Sequence, residues 1–259
     1  MKNGMTRSIL DTLYQRREVN RKSFAVLIDP DKVSDTGNLV KLVNIAVENK
    51  VDFFLVGGSL LTGSNMHQVI QLIKDHSQLP VILFPGSNMH VDVSADAILF
   101  LSLISGRNPE LLIGQQVIAA PVIKRSNLEV LPTGYILINA DNHTTVSYMS
   151  NTTPIPADKY SVAVCTAMAG EMLGLKLIYM DAGSGAKFPI RPKMIASVSK
   201  SIQVPLIVGG GIDSVDKALE CLKAGADMLV VGNGIERNPN LLIEVSDAIN
   251  NLNQTLDVH

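Results

Sequence analysis

The sequence predicts an α/β fold of the TIM (β/α)8-barrel type in which the third helix is missing or replaced by an irregular segment. Three observations carry that expectation. Short apolar runs alternate with helix-like segments along the whole chain, the pattern of a parallel sheet joined by helical crossovers. Eight such runs can be counted, the number a closed barrel needs. The last two end in glycine-rich turns, Val208-Gly-Gly-Gly-Ile212 and Val231-Gly-Asn-Gly234, at the place where barrels build a phosphate cup from backbone N–H groups and helix N-termini. An open doubly wound sheet would carry its glycine fingerprint after the first strand instead.

Each strand is a short apolar run, only Lys176 being charged, as expected where both faces are buried. A leading helix at Ser8–Arg17 precedes the first strand, Phe24–Ile28. Helix Asn38–Asn49, strand Phe53–Val56, helix Met66–Asp75 and strand Val81–Phe84 follow, the helices showing apolar residues at three- and four-residue spacing. The next stretch, Pro85-Gly-Ser-Asn-Met-His-Val-Asp-Val-Ser-Ala-Asp96, is too short and irregular for a crossover helix. Strand Ala97–Leu101 leads to a helix at Glu110–Ile118, opened by Asn108 at its N-cap and Pro109 at its first position. Strand Tyr135–Ile138, helix Ala157–Leu173, strand Lys176–Met180 and helix Pro192–Ser201 continue the alternation. Strand Leu206–Val208, helix Val215–Lys223, strand Met228–Val231 and helix Leu241–Ile249 complete it. No repeat, linker or low-complexity segment divides residues 1–259, so a single domain is expected.

The 46% hydrophobic content and mean hydropathy of +0.24 suit a doubly buried parallel sheet. A net charge of −2 gives no electrostatic reason to expect nucleic acid or an anionic membrane surface as partner. Every apolar run is interrupted before membrane-spanning length, and the polar start Met1-Lys-Asn-Gly-Met-Thr-Arg7 is unlike a signal peptide, so a cytoplasmic location is expected. Without a secretion signal, the Asn-x-Thr triplets at Asn142, Asn151 and Asn253 are chance matches. Cys165 and Cys221 lie in helical, apolar contexts and read as buried thiols, and the five histidines lack zinc-ligand spacing.

Strand C-termini converge on one face of a barrel, so the residues after each strand belong together. Asp29, with Ser59 after the second strand, either holds a hard cation such as magnesium or caps the Pro-Asp turn. Asp31 reads as a turn or cap carboxylate, and Lys32 as facing solvent or a phosphate. Gly183-Ser-Gly185 can form an anion-binding nest with the Ser184 hydroxyl as an added donor. Tyr179 and Asp181, two apart on a strand, face the same side; a phenol and a carboxylate in the mouth can orient a polyol, the lesser alternative being that Tyr179 fills the barrel interior. Arg107 meets either a second phosphate or a surface carboxylate, and Lys187 reads as solvated.

Together, Leu27-Ile-Asp-Pro-Asp-Lys32, Val56-Gly-Gly-Ser59, Ser105-Gly-Arg-Asn-Pro109, Tyr179-Met-Asp-Ala-Gly-Ser-Gly-Ala186 and the two glycine turns resemble the geranylgeranylglyceryl phosphate synthase family, which includes the heptaprenylglyceryl phosphate synthases. The resemblance spans nearly the whole chain in the same motif order. It implies a modified barrel without a regular third helix, and Mg2+ held by Asp29 and Ser59. It further implies sn-glycerol 1-phosphate bound by Tyr179, Met180, Asp181, Ala182, Gly183, Ser184 and Gly185, by Gly210 and Gly211, and by Gly232 and Asn233. Many members carry lysine at the position of Leu27 and glutamate at that of Asp181, so the chain resembles the second, more bacterial branch.

The implied reaction is Mg2+-dependent ether formation between a long-chain prenyl diphosphate, geranylgeranyl diphosphate first, and the 3-hydroxyl of sn-glycerol 1-phosphate, a step of ether-linked phospholipid biosynthesis. Asp181, Tyr179 and Arg107 are its expected catalytic groups. The small-residue helix Val162–Gly170 either walls the prenyl groove or packs closely on the barrel, and Leu111 is a candidate limit on tail length. A homo-oligomer and a transient membrane contact for the lipid product are expected by the same resemblance. The alternatives are a phosphosugar isomerase or aldolase on the same barrel, an FMN oxidoreductase, and a non-catalytic phosphometabolite-binding barrel. No strand run ends in the lysine a Schiff-base aldolase needs.

Overall fold

A computed structural model describes residues 8–139 and 144–256 of the chain; the Met1–Arg7 segment and Asn142 lie outside the described residues. The strands are β1 (Ser23–Ile28), β2 (Phe53–Gly58), β3 (Val81–Pro85), β4 (Ala97–Leu103), β5 (Glu129–Leu137), β6 (Leu177–Asp181), β7 (Leu206–Gly209) and β8 (Met228–Val231). They form a closed parallel barrel in sequence order, sealed where β1 pairs with β8. Alternate side chains separate into two cores. Leu55, Ile82, Leu99, Leu131, Ile207 and Val230 fill the barrel interior, while Phe54, Leu83, Ile98, Ile136, Ile178 and Leu229 point outward beneath the helices.

All eight expected strands are present. The fifth begins at Glu129 and not at Tyr135 because two apparent strand breakers fit the sheet. Pro132 has no N–H to give, but its carbonyl accepts the Lys176 amide at 2.8 Å. At Gly134 a Cβ would lie 2.8 Å from Ile104 and 2.9 Å from Ile178, so the glycine makes room for apolar side chains packed over the strand.

The helices are α1 (Ile9–Glu18), α2 (Thr36–Glu48), α3 (Met66–His76), α4 (Gln115–Arg125), α5 (Thr145–Ser150), α6 (Tyr160–Met172), α7 (Pro192–Ser199), α8 (Val215–Lys223), α9 (Asn233–Arg237) and α10 (Asn240–Leu256). Between β3 and β4, residues 86–96 form turns and bends without a helix, as the sequence predicts. The helix expected at Glu110–Ile118 is a π-helical turn, Glu110–Gly114, continued by α4 through Pro121 to Arg125. The one expected at Ala157 starts only at Tyr160. The short helices α5 and α9 were not expected; α5 is begun by a capping box from Thr144 and Ser147. Cys221 is buried, and burial pushes its thiol up to about 12. Cys165 is exposed, contrary to expectation, because the inward face of α6 is taken by Ala163, Ala167 and Gly170. Among the described residues, no helix is long and apolar enough to cross a membrane.

Helix α1 plugs the N-terminal mouth of the barrel, with Ile9 and Leu13 joining the interior core. Its first turn is satisfied from β5. The Glu129 carboxylate accepts the Ser8 hydroxyl at 2.7 Å and the Ile9 and Leu10 amides at 2.8 and 2.9 Å. A carboxylate at a helix N-terminus also meets the positive end of the helix dipole. Replacing Glu129 by alanine is expected to cost about 1–3 kcal/mol, the scale for hydrogen bonds to a charged group. The measurement is the urea unfolding midpoint; an unchanged midpoint would remove the plug from the stability argument.

Candidate active site

The C-terminal ends of the strands open into one cavity of about 920 Å3. One side is an anion cup. After β6 the chain turns through Gly183 and Gly185, and after β7 through Gly210 and Gly211, all with positive φ. Such turns direct successive N–H groups at a common point. The two turns touch: a Cβ at Gly210 would come within 2.6 Å of Asp181 Oδ1 and 2.9 Å of the Ala182 and Gly183 nitrogens, so only glycine lets them lie together.

A row of polar side chains crosses the mouth from β6 to β1. Asn233, on α9 after β8, donates from Nδ2 to Ser184 Oγ at 3.4 Å and accepts from Lys32 Nζ at 3.2 Å. Lys32 Nζ also lies 2.9 Å from Glu236 and 3.5 Å from Asp29. Asp29 caps the 3-10 turn Pro30–Lys32 by accepting the Asp31 amide at 3.1 Å. Asp31 reaches the next loop, accepting the Thr62 amide and hydroxyl at 2.6 and 2.9 Å and the Gly63 amide at 3.0 Å. Those bonds, the Thr62 amide foremost, hold its carboxyl below the usual range. The loops bearing Asp29 and Ser59 are thereby fastened together.

Beneath the cup, three rings fill the barrel interior: Phe84 stacks on Tyr179 at 5.1 Å between centroids, and Tyr135 meets Tyr179 edge-on at 5.5 Å. Asp181 sits above them, 7% exposed. Its Oδ2 accepts the Tyr135 hydroxyl at 2.5 Å and its Oδ1 the Gly183 amide at 2.7 Å. Burial raises the Asp181 carboxyl above the ordinary carboxylate value, against the lowering effect of both bonds. Burial, and then the Asp181 charge, push Tyr135 and Tyr179 well above the usual phenol range, so both remain neutral donors.

The other side of the cavity is apolar and leaves the barrel. It is lined by the interior residues Leu99 and Leu101 of β4 and by that strand's outward residues Ile98 and Phe100. Ala119 and Ile123 of α4 form the facing wall, and Met89 and Val91 lie over it. In a regular barrel the helix between β3 and β4 would cover the outer face of β4. Its absence makes the groove.

The PcrB family model matches residues 17–253. The chain belongs to the PcrB family. A geranylgeranylglyceryl phosphate synthase of Spirosoma linguale is 57% identical over 236 residues, covering 91% of this chain and 94% of its own. Its counterpart of that name in Pyrococcus furiosus is 42% identical over 227 residues, covering 86% and 88%. The crystal structure of (S)-3-O-geranylgeranylglyceryl phosphate synthase from Thermoplasma acidophilum, in complex with sn-glycerol-1-phosphate, superimposes with a TM-score of 0.87 at 32% identity, covering 93% of this chain and 98% of that one.

Of the residues expected at the site of this PcrB-family chain, Asp29, Ser59, Tyr179, Asp181, Gly183, Ser184, Gly185, Gly210, Gly211, Gly232 and Asn233 all line the cavity. Met180 and Ala182 do not: Met180 points into the outer core, and the Ala182 amide is spent on the Gly209 carbonyl at 3.1 Å. Arg107 also lies off the cavity, its guanidinium folded onto the Gly106 carbonyl at 2.7 Å. Lys32 is not a free solvated lysine but the centre of the polar row, and Asp31 joins two loops where a simple cap was expected. Lys187 is exposed. The helix Val162–Gly170 contributes nothing to the groove and packs on the barrel; α4 is the wall, and Leu111 lines the cavity. Tyr135, Phe84 and Glu236 were missed. The alternation of β5 would have pointed Tyr135 inward, but nothing in the sequence pairs it with Asp181.

The raised Asp181 carboxyl has a signed consequence for stability. A carboxyl whose folded value lies above its unfolded one contributes stability below the unfolded value of 3.8, and that contribution is lost as pH rises through the folded value. The melting temperature of Asp181→Asn should therefore gain on that of the parent across that window. Parallel curves from pH about 4 to neutrality would show that burial does not dominate at Asp181.

Proposed function

We propose that the chain is a prenyltransferase joining geranylgeranyl diphosphate, or a prenyl diphosphate of similar length, to the 3-hydroxyl of sn-glycerol 1-phosphate, with release of diphosphate. One observation carries the reading: a single cavity combines an anion cup, the oxygen donors Asp29 and Ser59, and an apolar groove that leaves the barrel. A phosphosugar enzyme or a simple phosphate-binding barrel has use for the cup but not for the groove.

The glycine turns and the Ser184 hydroxyl hold the phosphate of the acceptor. Asp181 and Tyr179 hold its glycerol hydroxyls. Both Asp181 oxygens already accept one hydrogen bond, so the 3-hydroxyl is a further donor to an anchored carboxylate. A carboxyl of raised proton affinity is suited to receive that proton as the ether forms. The C1–O bond to diphosphate breaks, the C1–O bond to glycerol forms, and the proton passes to Asp181. Cleavage leaves allylic cation character at C1, so a neutral alcohol suffices as nucleophile when held in line near contact distance.

Asp29 and Ser59 offer hard oxygen donors on two loops fastened by Asp31, a set that fits Mg2+, which commonly uses one or two carboxylates with water and phosphate filling the remaining positions. Bound there, Mg2+ supplies neutralisation of the departing diphosphate charge. The groove buries the prenyl tail at about 0.8 kcal/mol per methylene, so much of the donor's affinity comes from the chain. A cytoplasmic enzyme acting as a homo-oligomer, with passing membrane contact to deliver its lipid product, is consistent with this chemistry.

Incubation with labelled sn-glycerol 1-phosphate and prenyl diphosphates of graded length should give an organic-soluble product only when Mg2+ is present. Asp29→Ala should abolish that turnover while leaving glycerol phosphate binding largely intact; full activity in the variant would overturn the metal assignment. Ser184→Ala is expected to weaken glycerol 1-phosphate binding by about 1–3 kcal/mol. A purely kinetic defect with normal binding would take Ser184 out of the phosphate cup.

A further inference from the structure

Lys32 is placed between two carboxylates with different prospects. It follows Asp29 in the same 3-10 turn, and its ammonium lies 3.5 Å from Asp29 Oδ2. The tighter contact is with Glu236, at 2.9 Å to Oε2 and 3.3 Å to Oε1, while Asn233 Oδ1 accepts at 3.2 Å from the same ammonium. All four groups line the cavity. One ammonium therefore serves two acids, and the acid on α9 holds it by both oxygens. An ammonium in full contact with Asp29 would compete with any cation for that carboxylate, because the two positive charges would share one anion at close range.

We propose that Glu236 is a positioning residue that draws the Lys32 ammonium away from Asp29, leaving Asp29 open to a divalent cation and the ammonium facing the diphosphate that the cation accompanies. The proposal rests on the reading of Asp29 as a metal ligand and adds what tunes it. Without Glu236, Asp29 becomes the nearest carboxylate to Lys32, and the lysine settles on it. With the ammonium removed as well, Asp29 is released again. The cation affinity of Asp29 thus depends on Glu236 only through Lys32, a coupling that a double-mutant cycle isolates.

The test is calorimetric titration of Mg2+ into the full-length parent, Glu236→Gln, Lys32→Met and the double variant, alongside the Mg2+ concentration giving half-maximal prenyl transfer. Glu236→Gln should weaken Mg2+ binding about tenfold, equivalent to about 1.4 kcal/mol, and raise the half-maximal Mg2+ concentration in parallel, with kcat recovering at saturating Mg2+. In the Lys32→Met background the same substitution should leave Mg2+ affinity unchanged. Equal loss in both backgrounds would show that Glu236 acts on the cation directly, and an unchanged affinity in Glu236→Gln would show that it does not act at all; either overturns the proposal. Absence of Mg2+ binding in the parent would instead defeat the metal assignment of Asp29, and this inference with it.

Discussion

The constraint on which the site depends is the closure of the barrel by β1 and β8. Their parallel register, Ser23 opposite Met228 through Val26 opposite Val231, brings the first and last strands of the chain side by side. The loop that follows β1 carries Asp29 and Lys32, and α9, directly after β8, carries Asn233 and Glu236. Residues about 200 positions apart in sequence therefore share one ammonium. An open sheet of the same strands would leave these two loops at opposite edges, with Asp29 and Ser59 far from the phosphate cup. Parallel pairing without a closing edge also accounts for the composition, since a strand buried on both faces must be apolar at nearly every position.

Within that frame the protein departs from a regular barrel where an apolar ligand needs space. Without a helix between β3 and β4, the outer side chains Ile98 and Phe100 of β4 face the cavity, Phe100 half-buried, where a regular unit would seal them beneath a helix. Exposed apolar surface of this kind is costly in water, and residues 86–96 with α4 convert it into a groove. The opposite solution appears on the neighbouring strand, where Gly134 of β5 and Gly170 of α6 admit the Ile104 and Ile178 side chains and α6 presses closely on the sheet. Tight packing and open groove are two uses of the same two-layer architecture, decided by which side chains are small and which helix is absent.

The sequence made legible what depends on local chemistry. Eight apolar runs, the irregular stretch before Ala97 and the glycine-rich turns all have short-range signatures, and these placed the barrel, its gap and the cup's turn after β7. The second positive-φ turn lies after β6, not after β8, where Gly232 and Gly234 keep negative φ and open α9. What escaped was decided by tertiary contact. Pro132 and Gly134 look like breakers until the neighbouring strand supplies a donor and the isoleucines fill the empty Cβ positions. Arg107 has the right charge and position in the chain, yet its guanidinium is satisfied by its own loop. Val162–Gly170 has the small residues of a helix lying against something close, and only the fold reveals that the barrel, and not a ligand, is what it meets. Glu236 follows an unremarkable Gly-Ile pair and gains meaning only when β8 is set beside β1.

The balance at Asp181 shows how the fold tunes a short acid. Two effects oppose one another. The Tyr135 hydroxyl and the Gly183 amide each donate to the carboxylate and favour its charged form, while enclosure above three aromatic rings disfavours it. Enclosure prevails, so the group binds a proton more readily than an exposed aspartate. The same two donors fix both oxygens in place, which an unsupported side chain could not do for itself. Asp181 is thus oriented by Tyr135 and Gly183 and made more basic by Phe84, Tyr135 and Tyr179. Tyr135 acts in both directions, donating a bond that stabilises the anion and contributing a ring that excludes water from it. In the proposed reaction, a hydroxyl of an acceptor held in the cup would meet a carboxylate whose direction is set by hydrogen bonds and whose proton affinity is set by burial.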